Sequence, residues 1–146
     1  MAVASADVEV IINRPVAEVF GYMADYNNNV NWQEGVVSSR QITAGPPAVG
    51  VEVAYVRQLM GRDIEAKARM IAHEPGSKLR MESKSRIYTY TGGYDFSAVD
   101  GGTRVHYRGE IKTGALLGLL GKAVVGRFQK QMEGDLRRLK TMLESR

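Results

Sequence analysis

The side chains that could carry acid–base or metal chemistry are few in this chain of 146 residues. It contains two histidines, His73 and His106, and no cysteine. The histidines are distant in sequence and lack the spacing of a metal site, so we expect neither a metal nor a cofactor. The sequence also lacks a serine–histidine–aspartate pattern, a phosphate-binding glycine loop and a dinucleotide fingerprint. No catalytic motif is therefore evident.

Arg57 is the ionisable residue with the most informative position. It shares the alternation of Val51, Val53 and Tyr55, which we expect to face inward. A buried guanidinium needs an anionic or carbonyl partner, so Arg57 could hold a ligand carboxylate or polarise a ketone in an aldol-type cyclisation. The alternative, which we favour, is that the strand ends or bulges before Arg57 and its charge reaches water.

Aromatic and methionine side chains dominate the strand positions that we expect to face inward. A sheet packed tightly on a helix prefers leucine, isoleucine and valine, and each buried tyrosine hydroxyl needs a partner. Small residues such as Gly92 and Gly109 leave space between the large ones. The pattern favours an apolar pocket edged with hydroxyl groups over a filled core whose hydroxyls reach solvent. These inward residues are Tyr55, Met70, Met81, Tyr88, Tyr90, Tyr94, Phe96 and Tyr107.

The elements that position these side chains are a sheet and one long helix. Alternating apolar and polar residues predict seven strands, near residues 8–12, 36–43, 51–60, 62–73, 79–84, 88–96 and 105–111. Such alternation, with one wet face, is typical of antiparallel sheets. From Ala115 to Glu144, apolar residues recur every three or four positions, which predicts one helix. Its apolar face contains Leu117, Leu120, Val124, Phe128, Met132, Leu136, Leu139 and Leu143.

Two short helices are expected between the first two strands. Pro15 suits the first turn of the first one, and its apolar stripe ends at Met23. Trp32 lies in a turn or second helix that ends near Gly35, where it either roofs the pocket or packs in the core. Methionines would give the pocket an adaptable apolar wall, although methionine is also a common core filler. Met23 and Met132 join the expected ligand-binding residues on this ground.

The bulk properties indicate one domain, residues 1–146, with no membrane span. The net charge is +4, but basic residues are interleaved with acidic ones, so we expect no nucleic-acid partner. The start of the chain lacks the features of a signal peptide. The longest apolar run is interrupted by Lys122 and is shorter than the about 20 residues that a membrane helix needs. We therefore expect a cytoplasmic protein.

Several short motifs, taken in order, resemble the START-like helix-grip superfamily, which includes polyketide cyclases/dehydratases, lipid-transfer domains and pathogenesis-related pollen allergens. They are the segment 14–20 followed by Asp25 and Trp32, the Glu74–Pro75 turn, the segment 102–105 and the ending 135–140. The resemblance covers the whole chain. It implies an α+β fold in which a curved seven-stranded antiparallel sheet grips the C-terminal helix around a ligand cavity.

Three functional hypotheses follow. The first is binding or carriage of a small hydrophobic ligand, aromatic or lipid-like, between the sheet and the helix, where Phe128 and Met132 face it. The second is a polyketide cyclase/dehydratase-like enzyme that uses Arg57, Tyr55 and Tyr94 in the same cavity. The third is a protein-interaction module, with the leucine-rich segment 116–120 as a contact patch, although we favour a lid there. Both a monomer and a homodimer remain open.

Overall fold

The computed structural model describes residues 2–59, 61–114 and 118–146. These residues form an antiparallel sheet with the strand order β1-β7-β6-β5-β4-β3-β2 and a long C-terminal helix. The predicted α+β fold, with seven strands and two short helices after the first strand, is confirmed. The elements are β1 (Ala2–Ile12), α1 (Val16–Ala24), a 3₁₀ turn (Tyr26–Asn28), α2 (Asn29–Trp32), β2 (Val36–Gln41), β3 (Glu52–Leu59), β4 (Arg62–Glu74), β5 (Lys78–Ser85), β6 (Tyr88–Val99), β7 (Gly102–Thr113) and α3 (Leu119–Glu144).

Two register irregularities interrupt the sheet. One lies in β2 between Val36 and Ser38, and the other lies in β4 between Met70 and Ala72. Such bulges bend a strand and increase its twist. The second one also breaks the alternation expected for β4, because after it His73 rather than Ala72 pairs with the buried Leu79.

Helix α3 buries one face against the sheet and is fastened along β1. Phe128, Met132, Leu136, Leu139 and Leu143 are all buried. Gln129 Oε1 accepts a hydrogen bond from the Asp7 amide at 2.9 Å, and Glu144 Oε2 accepts one from the Asn13 amide at 2.8 Å. Because the two bonds lie at well-separated points along β1 and the turn after it, they set both the position and the direction of α3. No helix among the described residues is long and apolar enough to cross a membrane.

The first residue of α3 differs from the prediction. The helix begins at Leu119 rather than Ala115, and Gly118 precedes it with a φ of 50°. This left-handed backbone is open to glycine but costly for most other residues, which agrees with a helix that begins immediately after Gly118. The apolar spacing alone does not reveal such a break. Residues 115–117 of the predicted helix lie outside the described residues.

Strand β2 is also shorter than predicted, ending at Gln41 instead of Thr43. The hydroxyl of Thr43 accepts a hydrogen bond from the Glu52 amide at 2.9 Å, so Thr43 closes the loop into β3 through its side chain. The 3₁₀ turn is capped by Asp25, whose Oδ1 accepts from the Asn27 amide at 3.1 Å. This cap orients the short segment that carries α2 and the following turn towards α3.

Candidate functional site

A pocket of about 350 Å³ lies between the first half of α3 and the inner face of the sheet. The sheet contributes aromatic, methionine and arginine side chains, and the turn between α2 and β2, residues 33–36, forms one side. The principal lining residues are Tyr55, Arg57, Met81, Tyr88, Tyr90, Tyr94 and Ile111 from the sheet, and Ala123, Val124, Arg127, Phe128, Gln131 and Met132 from α3.

Short side chains on the first half of α3 help to leave this space open. In its second half, Leu136, Leu139 and Leu143 are completely buried and fill the space above the sheet. In its first half, the corresponding wall includes Ala123 and Val124. These short side chains extend less far towards the sheet, so a hollow remains there.

The sequence-predicted site residues fall into two groups. Eight of them line the pocket: Tyr55, Arg57, Met81, Tyr88, Tyr90, Tyr94, Phe128 and Met132. The other five, Met23, Trp32, Met70, Phe96 and Tyr107, lie outside its lining and are buried in the core. Trp32 packs edge-on against Tyr94, with ring centroids 6.3 Å apart, and Phe96 packs against Phe20 at 5.1 Å. The alternation of the strands identifies the inner face but not which part of it is covered.

Apart from Arg57 and the tyrosines, sequence reasoning missed the polar residues of the lining. Arg127 and Gln131 are neighbours of Phe128 on α3, so widening the apolar helix stripe by one position would have included them. Gln33 and Glu34 lie in the turn that follows α2. Their inclusion depends on how that turn folds against α3, for which the sequence carries no local signal.

The tyrosine hydroxyls of the site are bonded to one another. Tyr55 pairs with Ser83 and, at 2.7 Å, with Tyr88, while Tyr90 and Tyr107 pair at 2.5 Å. Burial raises the pKa of Tyr90 to about 12 and raises the pKa of Tyr88 and Tyr107 further above the usual range. The hydroxyls of Tyr88, Tyr90 and Tyr107 therefore remain neutral, and none of these three is a ready base.

Arg57 lines the pocket, contrary to the alternative that we favoured from the sequence. Strand β3 continues past it to Leu59, and the bulge lies instead in β2, opposite Arg57. The guanidinium Nη2 donates a hydrogen bond to Gln33 Oε1 at 3.2 Å. None of the ion pairs among the described residues involves Arg57. The pocket thus contains a half-buried cation without a carboxylate partner in the described part of the chain.

Asp135 holds the turn of residues 33–36 against α3 from behind the pocket wall. Its side chain is 1% exposed, and Oδ1 accepts from the Glu34 amide at 3.0 Å, from Gln131 Nε2 at 3.0 Å and from Arg138 Nη1 at 3.3 Å. Oδ2 is buried and has no hydrogen-bond partner among the described residues. Burial raises the pKa of Asp135, and its bonded donors oppose that effect.

The histidines lie outside the lining of the pocket. His106 Nε2 is 2.7 Å from Asp7 Oδ1 on the outer face, and the His73 ring packs against Phe20 with centroids 5.3 Å apart. Across residues 2–59, 61–114 and 118–146, no group of three or more histidine, aspartate or glutamate side chains is arranged to hold a metal ion.

The fold is similar to that of several solved structures. TTHA0849 from Thermus thermophilus is 20% identical, with a TM-score of 0.79 and 94% of each chain covered. The di-domain ARO/CYC BexL from the BE-7585A biosynthetic pathway is 14% identical, with a TM-score of 0.76 over 99% of this chain and 51% of that one. A START superfamily protein from Mycobacterium smegmatis is 8% identical, with a TM-score of 0.67 over 92% of this chain and 98% of that one.

At these identities the structures establish the shared fold alone. No curated protein sequence matches the chain significantly. The family model described as polyketide cyclase / dehydrase and lipid transport matches residues 3–144, nearly the whole chain, which confirms the resemblance read from the motifs. The chain therefore belongs to the polyketide cyclase / dehydrase and lipid transport family.

Proposed function

We propose that the protein binds and carries a small hydrophobic ligand, aromatic or acyl, in the pocket between the sheet and α3. The observation that carries this proposal is the hollow itself, in a protein whose opposite end is tightly filled. Its volume of about 350 Å³ falls within the range of about 300–1,000 Å³ that small-molecule sites occupy.

The chemistry of the lining supports an apolar ligand body. Met81, Ile111, Val124, Phe128 and Met132 form apolar walls, and Met side chains adapt to ligands of different shape. Burying apolar surface contributes about 25 cal/mol per Å², so even a small ring system or acyl chain gains several kcal/mol. The tyrosine hydroxyls would then orient the ligand rather than supply most of its affinity.

Binding can be measured through the intrinsic fluorescence of Trp32, the single tryptophan of the chain. Its ring lies 6.3 Å from that of Tyr94, which lines the pocket, so we expect its emission to change when the pocket fills. A panel of naphthyl compounds and medium-length acyl compounds should produce saturable changes. Native mass spectrometry of the gently purified protein should show the same compounds bound in a one-to-one ratio.

A pocket-closing variant tests where the ligand binds. Val124→Trp places a large ring into the hollow and should abolish binding, as read by native mass spectrometry. Lys122→Trp is the matched control, because Lys122 is exposed on the same helix and does not line the pocket. Saturable binding to Val124→Trp, with a melting temperature like that of the control, would exclude this pocket as the binding site.

A second candidate function, a cyclase or dehydratase, is favoured by the position of Arg57 beside the tyrosines. The guanidinium could polarise a ketone while an enolate carbon attacks it, and the former ketone oxygen would take up the proton that the attacking carbon released. The resemblance to a di-domain ARO/CYC protein is consistent with this chemistry. However, the neutral tyrosines offer no base, and the carboxylate of Glu34 is engaged by Arg138 at 3.3 Å. We therefore rank binding first.

The enzyme hypothesis predicts turnover of a model poly-β-ketone that depends on Arg57. Arg57→Gln should lower the rate of cyclisation by at least about tenfold, since the lost hydrogen bonds act on developing charge. Arg40→Gln, on the outer face, should leave the rate unchanged. Equal rates in both variants and in protein-free buffer would eliminate catalysis.

A further inference from the structure

We propose that the pocket selects ligands that carry a carboxylate, and that Arg57 is the residue that determines this selectivity. The inference rests on the proposed binding function and adds the charge of the ligand to it. Its basis is the balance of charge and hydrogen bonding around one guanidinium.

Among the described residues that line the pocket, basic side chains outnumber acidic ones. The described members of the lining include two arginines, Arg57 and Arg127, and one acid, Glu34. Glu34 Oε2 accepts from Arg138 Nη2 at 3.3 Å, so its charge is already directed to a residue of α3 outside the lining. Neither lining arginine takes part in an ion pair among the described residues. The pocket therefore has an excess of positive charge.

The polar groups near Arg57 do not neutralise it. A guanidinium has five N–H donors, and among the described residues Arg57 donates a hydrogen bond to the Gln33 amide oxygen at 3.2 Å. The Tyr88 hydroxyl lies nearby and, like the amide, is uncharged. The Tyr55 hydroxyl is engaged by Ser83 and Tyr88. Donors of Arg57 thus remain available to a ligand.

Asp135 is a buried carboxyl group close to this arrangement, but it belongs to a different network. Its Oδ1 accepts hydrogen bonds from Glu34, Gln131 and Arg138, and its side chain does not line the pocket. Arg57 acts on it only through the electrostatic field, which opposes the rise in the pKa of Asp135 caused by burial. No ion pair joins the two residues, so a ligand anion would not have to displace Asp135.

The surrounding backbone holds Arg57 in place. The Gly35 carbonyl accepts a hydrogen bond from the Gln58 amide at 2.6 Å, which closes the turn of residues 33–36 over β3. A Cβ atom on Gly35 would lie 3.9 Å from both Cγ and Nη1 of Arg57, so the turn passes directly over this side chain. A planar guanidinium is suited to bidentate contact with a carboxylate.

The complementary ligand is therefore amphipathic. Its carboxylate would lie against Arg57, and its aromatic or acyl body would lie along Phe128, Val124 and Met81. A carboxylate is strongly hydrated in water. The pocket therefore prefers acids over neutral ligands only if the contact with the guanidinium replaces that hydration. The half-buried position of Arg57 allows this exchange at a lower desolvation cost than a fully buried one.

The experiment compares acids with their neutral amides of nearly identical shape, at pH 7. The probes are naphthoate with naphthamide, and decanoate with decanamide, each titrated against the complete chain by fluorescence and calorimetry. We expect each acid to bind at least about tenfold more tightly than its amide, the size of a charge-assisted hydrogen bond. In Arg57→Gln this difference should vanish, with the affinity of the amide little changed. Arg40→Gln, on the outer face, should behave as the wild type does.

The outcomes separate this inference from the function on which it rests. Acids and amides that bind equally to the wild-type protein would overturn the selectivity and leave the binding function intact. An acid preference that persists in Arg57→Gln would overturn the role of Arg57. Failure of all four probes to bind would overturn the proposed function, and the inference with it. Should Arg57→Gln fold poorly, Arg57→Lys retains the charge without the planar fork and should show a reduced but measurable preference.

Discussion

Gly92 of β6 and Gly109 of β7 are register partners, and each is covered by the ring of the tyrosine two residues before it on the same strand. The Tyr90 ring lies over Gly92 and the Tyr107 ring lies over Gly109, which brings the two hydroxyls to 2.5 Å. Because neither glycine has a Cβ atom, the two tyrosine rings can lie against the backbone of their own strands.

Replacing Gly109 with alanine should destabilise the protein by about 1–3 kcal/mol, the cost of overpacking a filled core. The new Cβ would lie 2.6 Å from Tyr107 Cζ and would overlap the hydroxyl oxygen. Tyr107 is fully buried and has little freedom to move away. Denaturant unfolding measures the change.

Gly126→Ala is the control for that substitution. Gly126 lies exposed within α3, and a Cβ there would meet no atom within 4 Å. Alanine should stabilise the protein by up to about 1 kcal/mol through helix propensity. If both substitutions changed the free energy of unfolding in the same direction, the conclusion that the Tyr107 ring occupies the space above Gly109 would be contradicted.

Removing either hydroxyl of the Tyr90–Tyr107 pair should lower the free energy of unfolding. The size of the loss should depend on which hydroxyl is removed. Tyr90→Phe leaves the hydroxyl of the fully buried Tyr107 without its partner, at about 1–3 kcal/mol. Tyr107→Phe leaves the Tyr90 hydroxyl free at the pocket, where water can replace the lost bond, so its cost should be smaller. The double variant should cost less than the sum of the two. Additive costs in a double-mutant cycle would mean that the hydroxyls do not interact.

The buried tyrosines predict a loss of stability in alkali. Burial raises the pKa of Tyr26, Tyr88, Tyr90, Tyr94 and Tyr107, and that of Tyr90 from 10.0 to about 12. As the pH rises above 10, the unfolded chain releases protons that the folded chain retains. The free energy of unfolding should therefore be independent of these groups below about pH 10 and fall as the pH approaches 12.

Tyrosinate absorbance in the near ultraviolet measures this behaviour. Most of the seven tyrosines should ionise only in step with the loss of tertiary structure seen by circular dichroism. Ionisation of the five buried groups in a still-folded protein, at their ordinary pKa, would contradict the burial that we describe.

The sequence predicted the fold because its signals are local. One buried face is indicated by the alternation along β4, from Ile64 to Met70, and another by the three-to-four spacing along α3. Neither pattern depends on which element packs against that face. The bulge after Met70 and the left-handed Gly118 escaped prediction, since both depend on how the elements meet rather than on the pattern within them.

The candidate site was harder to predict than the fold. Alternation placed Phe96 and Tyr90 on the same inner face, yet Phe96 packs against α1 and Tyr90 lines the pocket. The difference arises from which part of the face α1 and α3 cover, a tertiary property. The orientation of Arg57 likewise depended on a bulge that occurs in β2 rather than in β3.

On the outer face, the register places Lys67 of β4 directly opposite Lys84 of β5, with Arg40 and Lys112 in the same row across the sheet. Both lysines of the facing pair are exposed, and neither takes part in an ion pair among the described residues. Like charges in direct opposition destabilise a sheet, whereas opposite charges contribute about 0.2–1 kcal/mol. Lys84→Glu should therefore raise the free energy of unfolding by about this amount, as measured by denaturant unfolding.

The matched control for this charge reversal is Lys84→Gln, which removes the repulsion without adding an attraction. Its stability should fall between those of Lys84→Glu and the wild type. Because Lys67 and Lys84 are exposed, the differences should shrink at about 1 M salt, where screening is nearly complete. If Lys84→Gln were as stable as Lys84→Glu at low salt, or more stable, the side chains at positions 67 and 84 would have to turn away from each other. Their opposition in the register would then have no energetic consequence.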